Sequence, residues 1–163
     1  MGLSCKTGTY NRVFSKLLDL NIPRRDIFLL FGPIDMLVQF EDFKNLQEFI
    51  EKWFDPVRMV GAAEALIAKT QTFVVISEGP SFADEPFAFI FLNTQPRNLE
   101  NVREALLTIP EVLSADTVFG PYDVICPVKA KDSTDLERLV RQIQERIPGI
   151  DGSMTGIVAL MRV

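Results

Sequence analysis

One tetrapeptide is written twice in this chain: Gly32-Pro33-Ile34-Asp35 returns as Gly120-Pro121-Tyr122-Asp123, 88 residues later. Its surroundings return with it. Before each copy comes a short amphipathic stretch (Val13 to Leu18; Val102 to Leu107), then an Ile-Pro pair and an apolar run. After each copy come a second apolar run, a longer amphipathic segment and a final run rich in Val and Ile. Ile22-Pro23 and Ile109-Pro110 are 87 residues apart, so the halves keep step with a one-residue slip. A chain of 163 residues that repeats one unit of roughly eighty is constrained to an architecture of two similar modules.

The second unit gives the cleaner pattern. Phe87 to Leu92 is short, aromatic and apolar, which predicts a buried strand. Asn93 to Asn98 predicts a turn with Asn98 as helix N-cap. Leu99, Val102, Leu106 and Ile109 then recur at helical spacing until Pro110 stops the helix. Val112 to Phe119 and Tyr122 to Val128 predict a hairpin turned at Gly120-Pro121. Asp132-Ser133-Thr134-Asp135 supplies a cap for a helix whose stripe is Leu136, Leu139, Val140, Ile143 and Ile147. Pro148-Gly149 ends it, and Thr155 to Val163 predicts a last strand. The order is β-α-β-β-α-β, the split βαβ or ferredoxin-like unit.

The first unit repeats this order with a short opening strand in Gly2 to Lys6. A helix from Phe43 carries Leu46, Phe49, Ile50, Trp53 and Phe54 and ends at Asp55-Pro56. A longer loop around Ala63 to Ala68 leads to a final strand at Thr72 to Ile76. The polar, turn-prone Ser77 to Pro86 separates the halves. The expected fold class is therefore α+β. It comprises two tandem ferredoxin-like βαββαβ units with antiparallel sheets, residues 1–78 and 86–163, joined by a linker at 79–85. Phe89 and Phe91 alternate with Ile90 and Leu92, so both faces of the sheet are expected to be buried. The simplest way to bury both is to pack the two units as a pseudo-dimer, with any residual apolar face or edge driving oligomers.

Composition removes several classes of function. The net charge is −5, and Arg24-Arg25 is the one adjacent basic pair, which opposes nonspecific binding to nucleic acid or anionic membrane. The chain contains no histidine, which excludes His-based acid–base catalysis, Ser-His-Asp and Cys-His sites, and His-ligated zinc or haem. No signal peptide or membrane span is read from the sequence, and Cys5 and Cys126 are expected as reduced, buried thiols in a cytoplasmic protein. No metal and no cofactor is expected.

These residues resemble a known family. Phe87 to Leu92, Gly120-Pro121-Tyr122-Asp123 and Ile147-Pro148-Gly149-Ile150, continuing through Ser153 and Thr155 into Ile157-Val158-Ala159-Leu160, are similar to the effector-binding (RAM) domain of Lrp/AsnC regulators. There the hairpin usually reads Gly-x-Tyr-Asp, and the last strand follows a Pro-Gly-Val with a Thr shortly after. The resemblance covers residues 86–163. It is weaker in the first unit, where Ile34 stands in the place of the tyrosine and Val60-Gly61 in the place of Pro-Gly. Typical members begin with a helix-turn-helix of some sixty residues; here a second effector-type unit occupies that place.

The resemblance implies a module that senses a small metabolite, an amino acid above all. It would act in transcriptional or metabolic regulation without its own DNA-binding domain, and would assemble with itself or with Lrp/AsnC-type regulators. It also implies a ligand site at Gly120, Tyr122, Asp123, Ser153 and Thr155, with Gly32 and Asp35 as first-unit counterparts. A zwitterion needs a carboxylate for its ammonium and N–H or O–H donors for its own carboxylate, and these residue types supply both. Turn chemistry alone accounts for the same motif: Gly for a positive φ, Pro to fix φ, Asp to accept backbone N–H groups. A ligand-free assembly module is the alternative. A small ferredoxin-like enzyme of the oxygenase or haem-decarboxylase kind is a third reading, opposed by the missing histidine. The ACT domain is a rival at the level of fold.

Overall fold

The computed structural model describes residues 1–159. Its contacts divide into two units, Met1–Thr72 with Ala159, and Phe73–Val158.

In the first unit the elements are β1 (Gly2–Cys5), α1 (Tyr10–Asp19), β2 (Ile27–Phe31), β3 (Met36–Val38), a helical stretch of α2 (Leu46–Phe49) and α3 (Asp55–Arg58), and β4 (Ile67–Gln71). The strands run antiparallel in the order β4-β1-β3-β2. This is the order a split βαβ unit requires, with the outer strands added to a central pair. Leu29, Met36 and Leu3 share one register row and meet Val13 and Leu17 of α1 and Val57 of α3 in one core. Ala159 joins this unit through its N–H, which donates to Leu29 O at 2.7 Å.

Two expectations for this unit are corrected. Asp55-Pro56 does not end the helix: Ile50–Phe54 forms a π turn that connects α2 to α3. Pro56 has no N–H to give and its ring crowds the preceding turn, and the Asp55 N–H reaches back to Ile50 O in the wider π spacing just before it. The strand that closes the unit is β4, at Ile67–Gln71, within and after the stretch read as loop. The segment Val74–Ser77 pairs elsewhere.

In the second unit the elements are β5 (Val74–Ser77), β6 (Ala88–Thr94), α4 (Leu99–Leu107), β7 (Asp116–Phe119), β8 (Val124–Val128), α5 (Ser133–Arg146) and β9 (Ile150–Val158). The antiparallel order is β9-β6-β8-β7-β5. The first four strands repeat the order of the first unit; β5 adds a fifth at the edge beside β7. The last strand begins five residues earlier than Thr155, and the part of it expected at 160–163 lies outside the described residues. Val112 makes only an isolated bridge to Val128, so the expected strand from Val112 shortens to Asp116–Phe119.

Both faces of β6 are buried. Ala88, Ile90 and Leu92 meet Val102 and Leu106 of α4 and Leu136, Leu139 and Ile143 of α5, while Phe89 and Phe91 are buried on the opposite face. The start of α5 is capped by Asp132, whose Oδ1 accepts from Asp135 N at 2.8 Å. Asp135 in turn accepts from Lys131 N at 3.1 Å, and its ion pair with Arg138 holds its carboxyl below the usual range. Asn98 does not cap α4 with its side chain. Its Nδ2 donates to Gln95 Oε1 at 3.2 Å, and a 3-10 turn at Pro96–Asn98 leads into the helix. Asn98 instead packs over Gly149, which has φ +93; a Cβ there would stand 2.6 Å from the Asn98 side chain, so only glycine fits the turn into β9.

Candidate functional site at the hairpin end of the second unit

The two Gly-Pro-x-Asp copies make the same three bonds. Asp123 N donates to Leu92 O at 2.9 Å, Asp123 O accepts from Val118 N at 2.9 Å, and Asp123 Oδ2 accepts from Thr94 N at 2.9 Å. Asp35 N donates to Leu3 O at 2.9 Å, Asp35 O accepts from Leu30 N at 2.8 Å, and Asp35 Oδ2 accepts from Cys5 N at 2.7 Å. Each aspartate thus clasps its hairpin to the end of the strand that precedes the unit's first helix, β6 for Asp123 and β1 for Asp35, with its backbone on one residue and its carboxylate two residues on. A charged acceptor is used where the strand leaves its ladder and an N–H would otherwise be orphaned. Gly120 is exposed and is not among the glycines with positive φ, so its turn is not one that only glycine can make.

The clasp gathers three loops. Thr94 leads into the β6–α4 loop, where Gln95 N donates to Gly149 O at 3.0 Å and Gln95 Nε2 reaches Asp151 Oδ1 at 3.4 Å in the α5–β9 loop. Arg97 Nη2 lies 3.5 Å from Gln95 Oε1. One end of the sheet therefore carries the carboxylates of Asp123 and Asp151 and the guanidinium of Arg97, with the second oxygen of Asp123 left to another donor. Thr94 and Thr117 bury hydroxyls that have no hydrogen-bond partner among the described residues.

The residues named from the sequence fall on two faces. Tyr122 lies on the face of Phe91 and Met154: its hydroxyl donates to Met154 Sδ at 3.5 Å, and its ring centroid is 5.6 Å from Phe91 and 6.4 Å from Phe73. Ser153 shares its register row with Leu92 and Val124, on the helix side, and its Oγ accepts from Gln144 of α5. Thr155 pairs with Ile90, also on the helix side, about 13 Å along β6 from Thr94. The structure thus gathers Gly120, Tyr122 and Asp123 at one hairpin and leaves Ser153 and Thr155 behind the sheet from Tyr122. Thr94, Gln95, Arg97 and Asp151 were missed. The sequence reads as an ordinary turn there, and only the clasp reveals that the loops converge.

Residues 87–160 match the family model described as the Lrp/AsnC ligand binding domain. This segment is a Lrp/AsnC ligand-binding domain. Two curated relatives, both named as uncharacterized HTH-type transcriptional regulators, come from Pyrococcus horikoshii and Pyrococcus abyssi. They are 32% and 31% identical over 78 residues, which is 48% of this chain and 49% of each relative. The chain spans about half the length of the curated relatives it matches. Among solved structures, a hypothetical protein from Pyrococcus horikoshii is 32% identical with a TM-score of 0.42, covering 46% of this chain and 89% of that one.

Other chemistry around the Lrp/AsnC domain is sparse. No group of His, Cys, Asp or Glu among the described residues is arranged to hold a metal ion, and no helix among them is long and apolar enough to cross a membrane. Both cysteines are free. Burial pushes the Cys126 thiol up to about 12, with Asp116 adding to the shift. Burial and the Asp35 carboxylate push Cys5 up to about 11. At pH 8 the thiolate fraction of either is on the order of one in a thousand or less. A colorimetric thiol titration at that pH is expected to find both cysteines slow in the native protein and both fast in denaturant.

Proposed function

We propose that the second unit is an effector sensor whose ligand is an amino acid, bound at the hairpin end by Gly120, Tyr122 and Asp123 with the convergent loops. The observation that supports this is the convergence itself: carboxylates at Asp123 and Asp151 suit an ammonium, and Arg97 suits a carboxylate, at one end of a Lrp/AsnC domain. Ser153 and Thr155 then contribute through the position of β9 rather than by direct contact. Gly32 and Asp35 mark the corresponding end of the first unit, which we read as a second, tandem copy of the same domain. The module regulates transcription or metabolism through assembly with itself or with Lrp/AsnC-type regulators, which supply the contact with DNA.

A thermal-shift screen against the twenty amino acids tests this reading. One amino acid at a hundred times its dissociation constant is expected to stabilise the protein by about 2.7 kcal/mol. The Asp123→Asn variant, which keeps an oxygen acceptor for Thr94 N, is expected to lose that shift. A screen in which no amino acid raises the melting temperature would favour the second reading, a ligand-free assembly module. One observation already favours that alternative: the clasp gives each repeated aspartate a structural task that needs no ligand.

A further inference from the structure

Hydrogen bonds and strand register align the loops of the two units residue for residue. Lys6 N donates to Leu66 O at 2.8 Å where Gln95 N donates to Gly149 O at 3.0 Å. Thr9 N returns to Lys6 O at 3.0 Å where Asn98 N returns to Gln95 O at 2.8 Å. The two ladders carry the same irregularity: Ser4 pairs with Lys69 and Cys5 with Ile67, as Asn93 pairs with Gly152 and Thr94 with Ile150. One residue is passed over in each, Ala68 in the first unit and Asp151 in the second. Gly8 accordingly stands at the place of Arg97, Lys6 at that of Gln95 and Leu66 at that of Gly149.

The first unit keeps the clasp and lacks the charges around it. Ala68 has no carboxylate, and Gly8, at φ +79 with nothing within 4 Å of where a Cβ would stand, has no side chain. The one cation between Lys6 and Thr9 is Lys6, an exposed point charge without the paired donors of a guanidinium. What the second unit leaves open, the first fills. Leu66 is 1% exposed and lies so close over Gly61 that a Cβ there would clash with it, whereas Gly149 has no side chain to place. Ile34 is 3% exposed where Tyr122 is half-buried. The Thr9 hydroxyl donates to Lys6 O at 2.7 Å and reaches Leu66 O at 3.2 Å, tying the two loops together. In the second unit, by contrast, the buried Thr94 hydroxyl has no partner among the described residues.

We propose that, with the second unit as an effector sensor, the chain binds one amino acid and not two. Arg97 and Asp151 hold its carboxylate and its ammonium in the second unit, and the first unit is a sealed copy in which Gly32 and Asp35 serve the fold alone. A zwitterion leaving water must find a donor and an acceptor at once, and a site that lacks either leaves one charge unmatched. The second unit supplies both. The first has no guanidinium in the corresponding loop and only the carboxylate that Cys5 N already engages.

Equilibrium dialysis of the full chain against an equimolar mixture of the twenty L-amino acids, with amino-acid analysis of both chambers, identifies what is retained. Dialysis against that amino acid alone, raised to saturation, then counts the sites, and the expected count is one per chain. Arg97→Gln and Asp151→Asn, both at exposed positions, are each expected to weaken retention at least about tenfold. Lys6→Gln, at the first unit's counterpart of Gln95, is expected to leave affinity and count unchanged. Two per chain at saturation would overturn the proposal and leave the sensor reading standing, since both ends would then bind. A single equivalent that survives Arg97→Gln and Asp151→Asn undiminished, or one that Lys6→Gln abolishes, would overturn it in the same way. If no amino acid is retained, the sensor reading itself falls, and the single site falls with it.

Discussion

Replacing Phe91 with alanine is expected to lower the stability of the second unit by about 3–5 kcal/mol. Phe91 is fully buried, yet it does not belong to the core between sheet and helices. Its ring lies on the other face of β6, 5.7 Å from Phe73 and 5.6 Å from Tyr122. An open ferredoxin-like sheet face left to water would charge little for losing a ring. The size of the loss therefore measures how far that face is a second core. Phe91→Leu should cost less, since it keeps most of the volume and forfeits mainly the ring contacts. Phe119→Ala, at a residue 73% exposed, should change stability by no more than about 0.5 kcal/mol. Denaturant titrations followed by circular dichroism give all three values. A Phe91→Ala loss as small as that of Phe119→Ala would mean that the aromatic face is not a core and that Tyr122 stands free of it.

How much of this was readable beforehand depends on how local the signal is. Helix α5 was legible almost to the residue because its cap, Asp132, and its stripe, Leu136, Leu139 and Ile143, are all encoded within one segment. The strand β6 was legible because an uninterrupted apolar run can do little else when turns bound it. The fate of residues 72–77 was not. A short neutral stretch will pair with any open edge, and whether Val74–Ser77 lies beside β1 or β7 depends on which slot is already filled, in this case by β4. The π turn at Ile50–Phe54 follows from Pro56, but the sequence pattern reads equally well as a helix end there. Asn98 has the chemistry of a cap and is drawn instead onto Gln95 and Gly149, partners that arrive only with the tertiary fold. At the candidate site the aspartates were visible as turn residues. Their reach across to Thr94 and Cys5, and with it the gathering of Gln95, Arg97 and Asp151, is a non-local contact that no spacing along the chain announces.

The clasp leads to a prediction that separates architecture from sensing. Asp123→Ala is expected to destabilise the protein by about 1.5–3 kcal/mol with no effector present, because it leaves the N–H of Thr94, a buried residue, without its charged acceptor. The main-chain bonds of residue 123 to Leu92 and Val118 survive the substitution, so the hairpin persists and the loss is local. Asp123→Asn keeps an oxygen within reach of Thr94 N and should recover roughly half of that loss or more, since a neutral acceptor is the weaker one. Asp35→Ala should cost less than Asp123→Ala, because Cys5 is only half-buried and water can replace the missing oxygen. Hydrogen exchange supplies the site-specific readout: the Thr94 amide should lose protection in Asp123→Ala while the amides of Ile90 and Leu92 keep theirs. Loss of stability therefore does not by itself identify a ligand contact, and the effector experiment must use asparagine. Should Asp123→Ala prove as stable as the wild type and leave Thr94 protected, the repeated motif would not be a clasp, and the carboxylate would be free to be what the sensor reading needs, the partner of a bound ammonium.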